Sequence, residues 1–388
     1  MNEKNLNVFI DLGTSNIRLG IFNRETSNNL FVLEKSCFSN LSLKNFDINN
    51  CNKTLKDLVR SAEKKIDKHI KNINLMIDTP DMFSIDVSIK KNTDSKKLTQ
   101  NDIQSLLQEA KNIIQNNYFD KKIIHMIVKK FFFDNKIYFQ IPEKEINCKS
   151  LTVELKFICF SNKVWQSLLN LFNSNFINID NIYSSSYVRA VNCNGVFDNY
   201  KKKFILDIGY SRSTISIFDE NRILYYNMLP VGGKHITKDI SLLLNISIDE
   251  AENIKKKLNK SDITFLEKSE KITEIEPAEL TNQVVFARIY EIIKLNLADQ
   301  YCKSLFDESN DCSLIFIGEG SKILNKNSIY LEEKFDFFKE ISFFEENTQQ
   351  ICESGFKFKN LKNFQEVTFL TKKPKNVGFF EKIFHFFK

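Results

Sequence analysis

Ile10-Asp11-Leu12-Gly13-Thr14-Ser15 recurs about half a chain later as Leu206-Asp207-Ile208-Gly209-Tyr210-Ser211. Each copy follows one apolar run and leads into another, Leu19-Gly20-Ile21-Phe22 in the first case and Ile215-Ser216-Ile217-Phe218 in the second. Both read as strand, tight polar turn, strand, with an acidic residue at the end of the first strand. One such hairpin is a weak signal, because Asp-x-Gly is a common turn. Two in register, each flanked by strands, are a strong one. A duplicated hairpin of this kind closes on a phosphate chain from two sides. Glycine gives backbone N–H groups close approach, Ser and Thr hydroxyls add donors, and each aspartate holds a hydrated Mg2+.

The 388 residues suffice for two domains with subdomains. With 42% hydrophobic and 27% charged residues, disorder is excluded as the main state. Only 10 glycines accompany 36 phenylalanines, so the glycines are expected where the backbone demands them. The net charge is +6, and +4 of it falls between Thr371 and Lys388, where five lysines face one glutamate. The rest of the chain is nearly balanced, which argues against a nucleic-acid-binding face. Eight cysteines lie scattered without a CxxC pair, so a reducing cytosol is the expected compartment. His69, His125, His235 and His385 lack metal-site spacing, and surface or packing roles are expected of them. Met1-Asn2-Glu3-Lys4-Asn5 leads into a strand without a signal peptide, and no apolar run reaches the roughly 20 residues that span a bilayer. A cytoplasmic body follows as the expectation.

Along the chain, strands are predicted at 8–11, 18–22 and 30–34, then a helix at 54–71 and a strand at 73–78 ending in Thr79-Pro80. The texture then changes. A strand at 83–89, a helix entered through Leu98–Asp102 and running to about Ile114, a strand at 122–128 and a turn at Asp134-Asn135 make a small α+β insert. A strand at 157–160 and helices at 163–172 and 187–192 complete the first half. After the second hairpin come a strand at 223–228, helices at 234–244, 248–258 and 282–307, and a strand at 313–317 ending in Gly318-Glu319-Gly320. The repeated strand–strand–strand–helix order predicts two related domains facing a cleft. A single Rossmann sheet would need GxGxxG after its first strand, and that motif is absent.

These residues resemble the actin-like ATPase superfamily, and within it the FtsA family of bacterial cell division. Asp11, Gly13, Thr14, Ser15 and Asn16 are similar to the first phosphate loop, and Asp207, Gly209, Ser211 and Arg212 to the second. Gly318, Gly320 and Ser321 resemble the adenosine-side turn. Gly232–Ile240, which contains Gly233, is the most family-specific match; Glu250–Lys256 is a further one and carries Glu252 and Lys255, three apart on one helix face. The resemblance implies an α/β fold of the actin-like (ribonuclease H-like) type, a duplicated two-domain fold with an FtsA-type 1C insert. It implies ATP and Mg2+ as ligands, with Asp11 and Asp207 holding the metal through water. It divides the chain into 1A (1–81 and 157–199), 1C (82–156), 2A (200–240 and 300–362), 2B (241–299), a linker (363–377) and a C-terminal membrane-targeting helix (378–388). The family's second loop is usually Asp-x-Gly-Gly-Gly-Thr; here Tyr210, Ser211 and Arg212 stand in it, where side chains restrict positive φ and crowd the phosphates. Ser184-Ser185-Ser186-Tyr187 offers no carboxylate to orient an attacking water, so nucleotide binding is better supported than hydrolysis. Arg288 and Glu291 lie in a segment resembling the helix that receives the C-terminal peptide of the tubulin-like FtsZ. Self-assembly into an actin-like filament and downstream division proteins as partners are implied too.

The tail is a separate clue. Phe379, Phe380, Ile383, Phe384 and Phe387 follow helical spacing, accompanied by Lys382 and Lys388, behind the polar stretch Lys372–Asn376. So short a helix is marginal in water. Aromatics with lysines behind a polar linker fit an anionic membrane surface better than a core. Two functions of other classes compete: a sugar or acetate kinase of the same core fold, for which no catalytic acid is identifiable, and an actin-like pilus-assembly protein.

Overall fold

The computed structural model describes residues 6–36, 48–93, 98–141, 147–197, 199–258, 277–305, 311–324, 335, 338–361 and 365–367. β1 (Leu6–Leu12) and β2 (Asn16–Asn23) form the first hairpin, with Asp11 opposite Arg18, and β3 (Asn29–Ser36) extends it. After helix α1 (Ile48–Ile66), β4 (Asn72–Ile77) returns parallel to β1, and β9 (Asn178–Ser184) lies parallel beyond it. The second half repeats this plan. β10 (Lys202–Ile208), β11 (Ser213–Asp219) and β12 (Arg222–Leu229) are antiparallel, and β13 (Cys312–Ile317) and β14 (Glu340–Phe343) follow in parallel. The two five-stranded sheets therefore have the same order, β3-β2-β1-β4-β9 and β12-β11-β10-β13-β14. The two related domains expected from the hairpins are present, in the duplicated α/β arrangement that the actin-like resemblance implies.

Between β4 and β9 the chain makes an excursion: β5 (Phe83–Asn92), α2 (Gln100–Asn117), β6 (Lys121–Phe133), β7 (Lys136–Tyr138), β8 (Ser150–Ser161) and α3 (Asn162–Asn173). Its strands form a separate sheet, β5-β8-β6-β7. Thr99 opens α2 in a capping box with Asp102, and Asp134 makes the turn between β6 and β7 with φ of 55°. The strand predicted at 157–160 is the second half of β8, whose first half alternates inward Leu151, Val153 and Leu155 with outward neighbours.

Helix α4 (Ser185–Val196) carries the chain from the first sheet to the second. The remaining helices are α5 (Gly233–Leu244), α6 (Ile248–Lys257), α7 (Pro277–Leu297), α8 (Gln300–Ser304) and α9 (Thr348–Asn360). The single helix expected at 282–307 is two, because the Asp299 side chain caps α8 by accepting from the N–H groups of Tyr301 and Cys302 at 2.9 and 3.2 Å. Helix α9 falls in the stretch 300–362 yet packs on β1, β2 and α4 of the other half. Phe356 stacks on Phe22 with ring centres 5.1 Å apart and meets Phe9 edge-on. The apolar core consequently continues from the first sheet into Ile205, Ile315 and Ile317 of the second. No helix among the described residues is long and apolar enough to cross a membrane. The predicted tail helix, from Gly378 to Lys388, lies outside the described residues.

Candidate functional site

The two β-turns border one cavity. Gly13 N–H donates to the Asn16 carbonyl at 3.1 Å, and Gly209 N–H to the Arg212 carbonyl at 2.9 Å, so the turns have the same closure. Asp11, Gly13, Thr14 and Ser15 line the cavity from one side and Asp207, Gly209, Ser211 and Arg212 from the other. Asn16 instead donates to Glu34 at 2.5 Å. None of Tyr210, Ser211 and Arg212 has a positive φ, so these side chains do not strain the second turn as their place in a glycine-rich loop would suggest. The half-buried Tyr210 lies under the Lys255 ammonium, 5.2 Å from its ring centre, and burial pushes its phenol up to about 12.

Three arginines line the cavity, Arg18 and Arg212 buried and Arg189 nearly so, and only Arg212 belongs to the turn motifs. Arg18 pairs with Asp11 at 3.0 Å and with Glu34 at 3.2 Å. Arg189, from α4, pairs with Asp207 at 2.9 Å and with Glu346 at 2.5 Å. Arg212 donates to the Thr79 carbonyl at the end of β4, bridging the two halves. Burial alone would lower both Arg18 and Arg189, but the facing carboxylates outweigh it and hold both guanidinium groups above their ordinary range. Asp207 goes the other way. Burial is the largest influence on it and exceeds the pull of Arg189, so its carboxyl is raised from 3.8 to about 6, with Glu346 adding to the shift.

Asp78 also reaches the cavity, accepting from the Ser184 hydroxyl and the Ser186 N–H, each at 2.8 Å. The same serines meet the Tyr226 hydroxyl of β12 at 3.1 and 2.9 Å. Arg18 was legible in retrospect, since the hairpin register places it directly across from Asp11. Arg189, Glu346 and Asp78 carried no local signal. They arrive from a helix, a loop and a strand end.

The adenosine-side residues converge as well. Gly318 has φ of +92°, and a Cβ there would lie 2.2 Å from Asp207 Oδ1, so only glycine fits. Gly232 is confined differently: its Cβ would meet the Gly209 carbonyl oxygen at 2.6 Å, which fixes α5 against the second turn. Gly233 approaches both Gly320 and Lys255. The Ser321 hydroxyl donates to the Gly318 carbonyl at 2.7 Å. Lys255 and Glu252 are buried rather than solvated, paired at 2.6 Å, and Lys255 donates further to Thr237 Oγ1 and the Gly233 carbonyl. Burial lowers the Lys255 ammonium, against the pull of Glu252.

Mg2+ fits this donor set poorly. Asp11 has both oxygens engaged, by Arg18 and by the Ser185 hydroxyl at 2.7 Å. Asp207 gives one oxygen to Arg189 and presses the other, which has no hydrogen-bond partner, against the Gly318 backbone. A phosphate group fits better, given the turn N–H groups, hydroxyls and Arg212. Far from the cavity, Arg288 is held by Asp239 at 2.6 and 3.1 Å and by Glu291 at 2.5 Å. Val285, Ile289 and Ile292 of the same helix face the core.

Residues 204–373 match the family described as Cell division protein FtsA. The chain is 24% identical over 314 residues to Cell division protein FtsA of Bacillus subtilis, covering 76% of this chain and 69% of that one. It is 22% identical over 307 residues to that of Streptococcus pneumoniae, covering 74% and 64%. Its match to the relative from Borreliella burgdorferi spans 61% of that protein, so two of these three relatives are covered over less than two thirds of their length. Among solved structures it resembles a chain of the PilM-PilN type IV pilus biogenesis complex, with a TM-score of 0.60, 10% identity and coverage of 90% and 94%, a likeness of fold alone. With its duplicated hairpins and the match that begins in β10, the chain has the actin-like fold and is similar over residues 204–373 to the family of Cell division protein FtsA.

Proposed function

We propose that this chain is an actin-like cell-division scaffold. It binds a nucleotide, ATP by family analogy, through the phosphate turns at Asp11 and Asp207. It assembles with copies of itself on the inner face of the cytoplasmic membrane at the division site, where it tethers FtsZ filaments and meets downstream division proteins. Phe379, Phe380, Ile383, Phe384 and Phe387 enter the lipid, with Lys382 and Lys388 at the anionic headgroups. Residues 82–156 act as the 1C subdomain, and Arg288 with Glu291 receives the FtsZ C-terminal peptide. The observation that carries this reading is the FtsA match over residues 204–373.

Chemically, the chain's own residues bind and orient more than they react. The turn N–H groups and Arg212 hold phosphate, and the Gly318–Ser321 turn gives a base bare backbone to lie on. ATP with Mg2+ is the usual ligand of this fold. Among the described residues the other carboxylates lining the cavity are engaged, Asp78 by Ser184 and Ser186 and Glu319 by Arg18 and Lys322, which leaves none free to accept a proton from an attacking water. Hydrolysis is accordingly slow or lacking, which separates this reading from a sugar or acetate kinase. The pilus reading gains nothing from a 10% identical likeness of fold.

The test is co-sedimentation of the full chain with anionic liposomes, with and without FtsZ. Phe380→Glu or Phe384→Glu is expected to abolish membrane pelleting while leaving the thermal unfolding midpoint unchanged. FtsZ should reach the liposomes only with the wild type, and Arg288→Glu should weaken that recruitment. Equal pelleting of wild type and both tail variants would remove the anchor, and failure to recruit FtsZ would remove the scaffold role.

A further inference from the structure

Arg212 is a buried cation without a carboxylate. It is 5% exposed, lines the cavity between the two turns and donates to the Thr79 carbonyl, while its Nε bonds to nothing. Among the described residues no ion pair reaches it. A guanidinium withdrawn from water in this way is costly unless an anion joins it. The Thr214 hydroxyl, on the same cavity wall, is also without a partner. The other two cations of the cleft are engaged, Arg18 with Asp11, Glu34 and Glu319 and Arg189 with Asp207 and Glu346. Those pairs place positive charge beside the two carboxylates that would otherwise hold a hydrated metal ion.

We propose that the cleft holds a phosphate group through Arg212 without a divalent cation, because the Arg18 and Arg189 guanidinium groups already stand against Asp11 and Asp207 where a hydrated Mg2+ would bind. This inference rests on the cleft being a phosphate site and narrows the way it works. The ligand class is a phosphoryl group, carried by a nucleotide or free as pyrophosphate. The cavity measures about 80 Å³, roughly half of the ~150 Å³ that encloses a benzene ring. It takes a phosphate and leaves any nucleoside outside, toward Gly318 and Gly320.

The experiment is calorimetric titration of the full chain with ATP and, separately, with pyrophosphate, each once in EDTA and once in excess Mg2+. The expected result is binding of at least one probe with dissociation constants that agree within about threefold between the two buffers. Arg212→Gln should weaken that binding by about tenfold or more in both buffers, and Arg212→Lys should recover part of it. Binding of ATP alone or of pyrophosphate as well tells the two phosphate sources apart. A constant about tenfold or more tighter in Mg2+ would overturn the inference and keep the nucleotide reading. No binding of either probe in either buffer would overturn both. Unchanged affinity in Arg212→Gln would also overturn it; should that variant not fold, the comparison of the two buffers on the wild type still decides.

Discussion

The two hairpins are alike in register and differ in where their cations sit. Asn16 and Arg18 of the first correspond to Arg212 and Thr214 of the second. In the first, the arginine is on the strand, opposite Asp11, and neutralises it locally. In the second, the arginine stands two places earlier, in the turn, and reaches across to Thr79 of the other half. Asp207 is left facing Thr214 and takes its counter-charge from Arg189, on the helix between the sheets. The first half therefore neutralises its own aspartate, while the second depends on closure against α4 and β4. The same turn geometry can serve as a self-contained hairpin or as half of a latch.

The largest expected effect tests that asymmetry. Arg189→Ala strands Asp207 and Glu346, both buried, and should cost about 3–5 kcal/mol in urea unfolding. Arg18→Ala should cost less, because Asp11 keeps its Ser185 hydrogen bond and Glu34 is partly solvated. Equal costs would break the comparison. The pH dependence comes next. Asp207 has its proton affinity raised on folding, so its contribution to stability is present below pH 4 and lost as pH rises through about 6. Asp207→Asn should accordingly gain on the wild type by up to about 3 kcal/mol between pH 4 and pH 7, at about 1.4 kcal/mol per unit. A difference that does not change with pH would show that Arg189 balances burial, and one that moves in favour of the wild type as pH rises would show that Arg189 outweighs it. Gly318→Ala should cost about 1–3 kcal/mol, from its φ and its crowding of Asp207. A neutral outcome would mean the adenosine-side turn is free to relax. Smallest is Tyr210→Ala, which loses a ring under Lys255 and should cost about 0.5–1 kcal/mol.

Much of this fold was legible because apolar runs alternate or recur around the two turns, and the duplicated sheets follow from them. What escaped did so for physical reasons. β9 reads Asn178-Ile-Asp-Asn-Ile-Tyr-Ser184, in which Ile179, Ile182 and Tyr183 pack against the core without a clean alternation and an asparagine ladder helps to seat the strand. Asn181 donates to Asn74 at 2.8 Å, and Lys359 reaches Asn74 at 3.0 Å. β14 is four residues long, too short for a period to show. In the site, the residues on the turns were identifiable from local pattern, while Arg189, Glu346 and Asp78 depend on contacts across long stretches of chain. Glu252 and Lys255 were placed on one helix face correctly, but their burial came from α5 packing over them. The pairing of Arg288 with Asp239 had no local signal, because the two lie 49 positions apart.

A double-mutant cycle on Arg189 and Asp207, read by urea unfolding at pH 7, probes the latch between the halves most directly. The pair joins α4 to β10 at 2.9 Å, and a coupling energy of at least about 2 kcal/mol is predicted for so close and buried a contact. A coupling near zero would mean that the second turn does not draw its charge from the first half, and the cleft described here would not be closed by these residues.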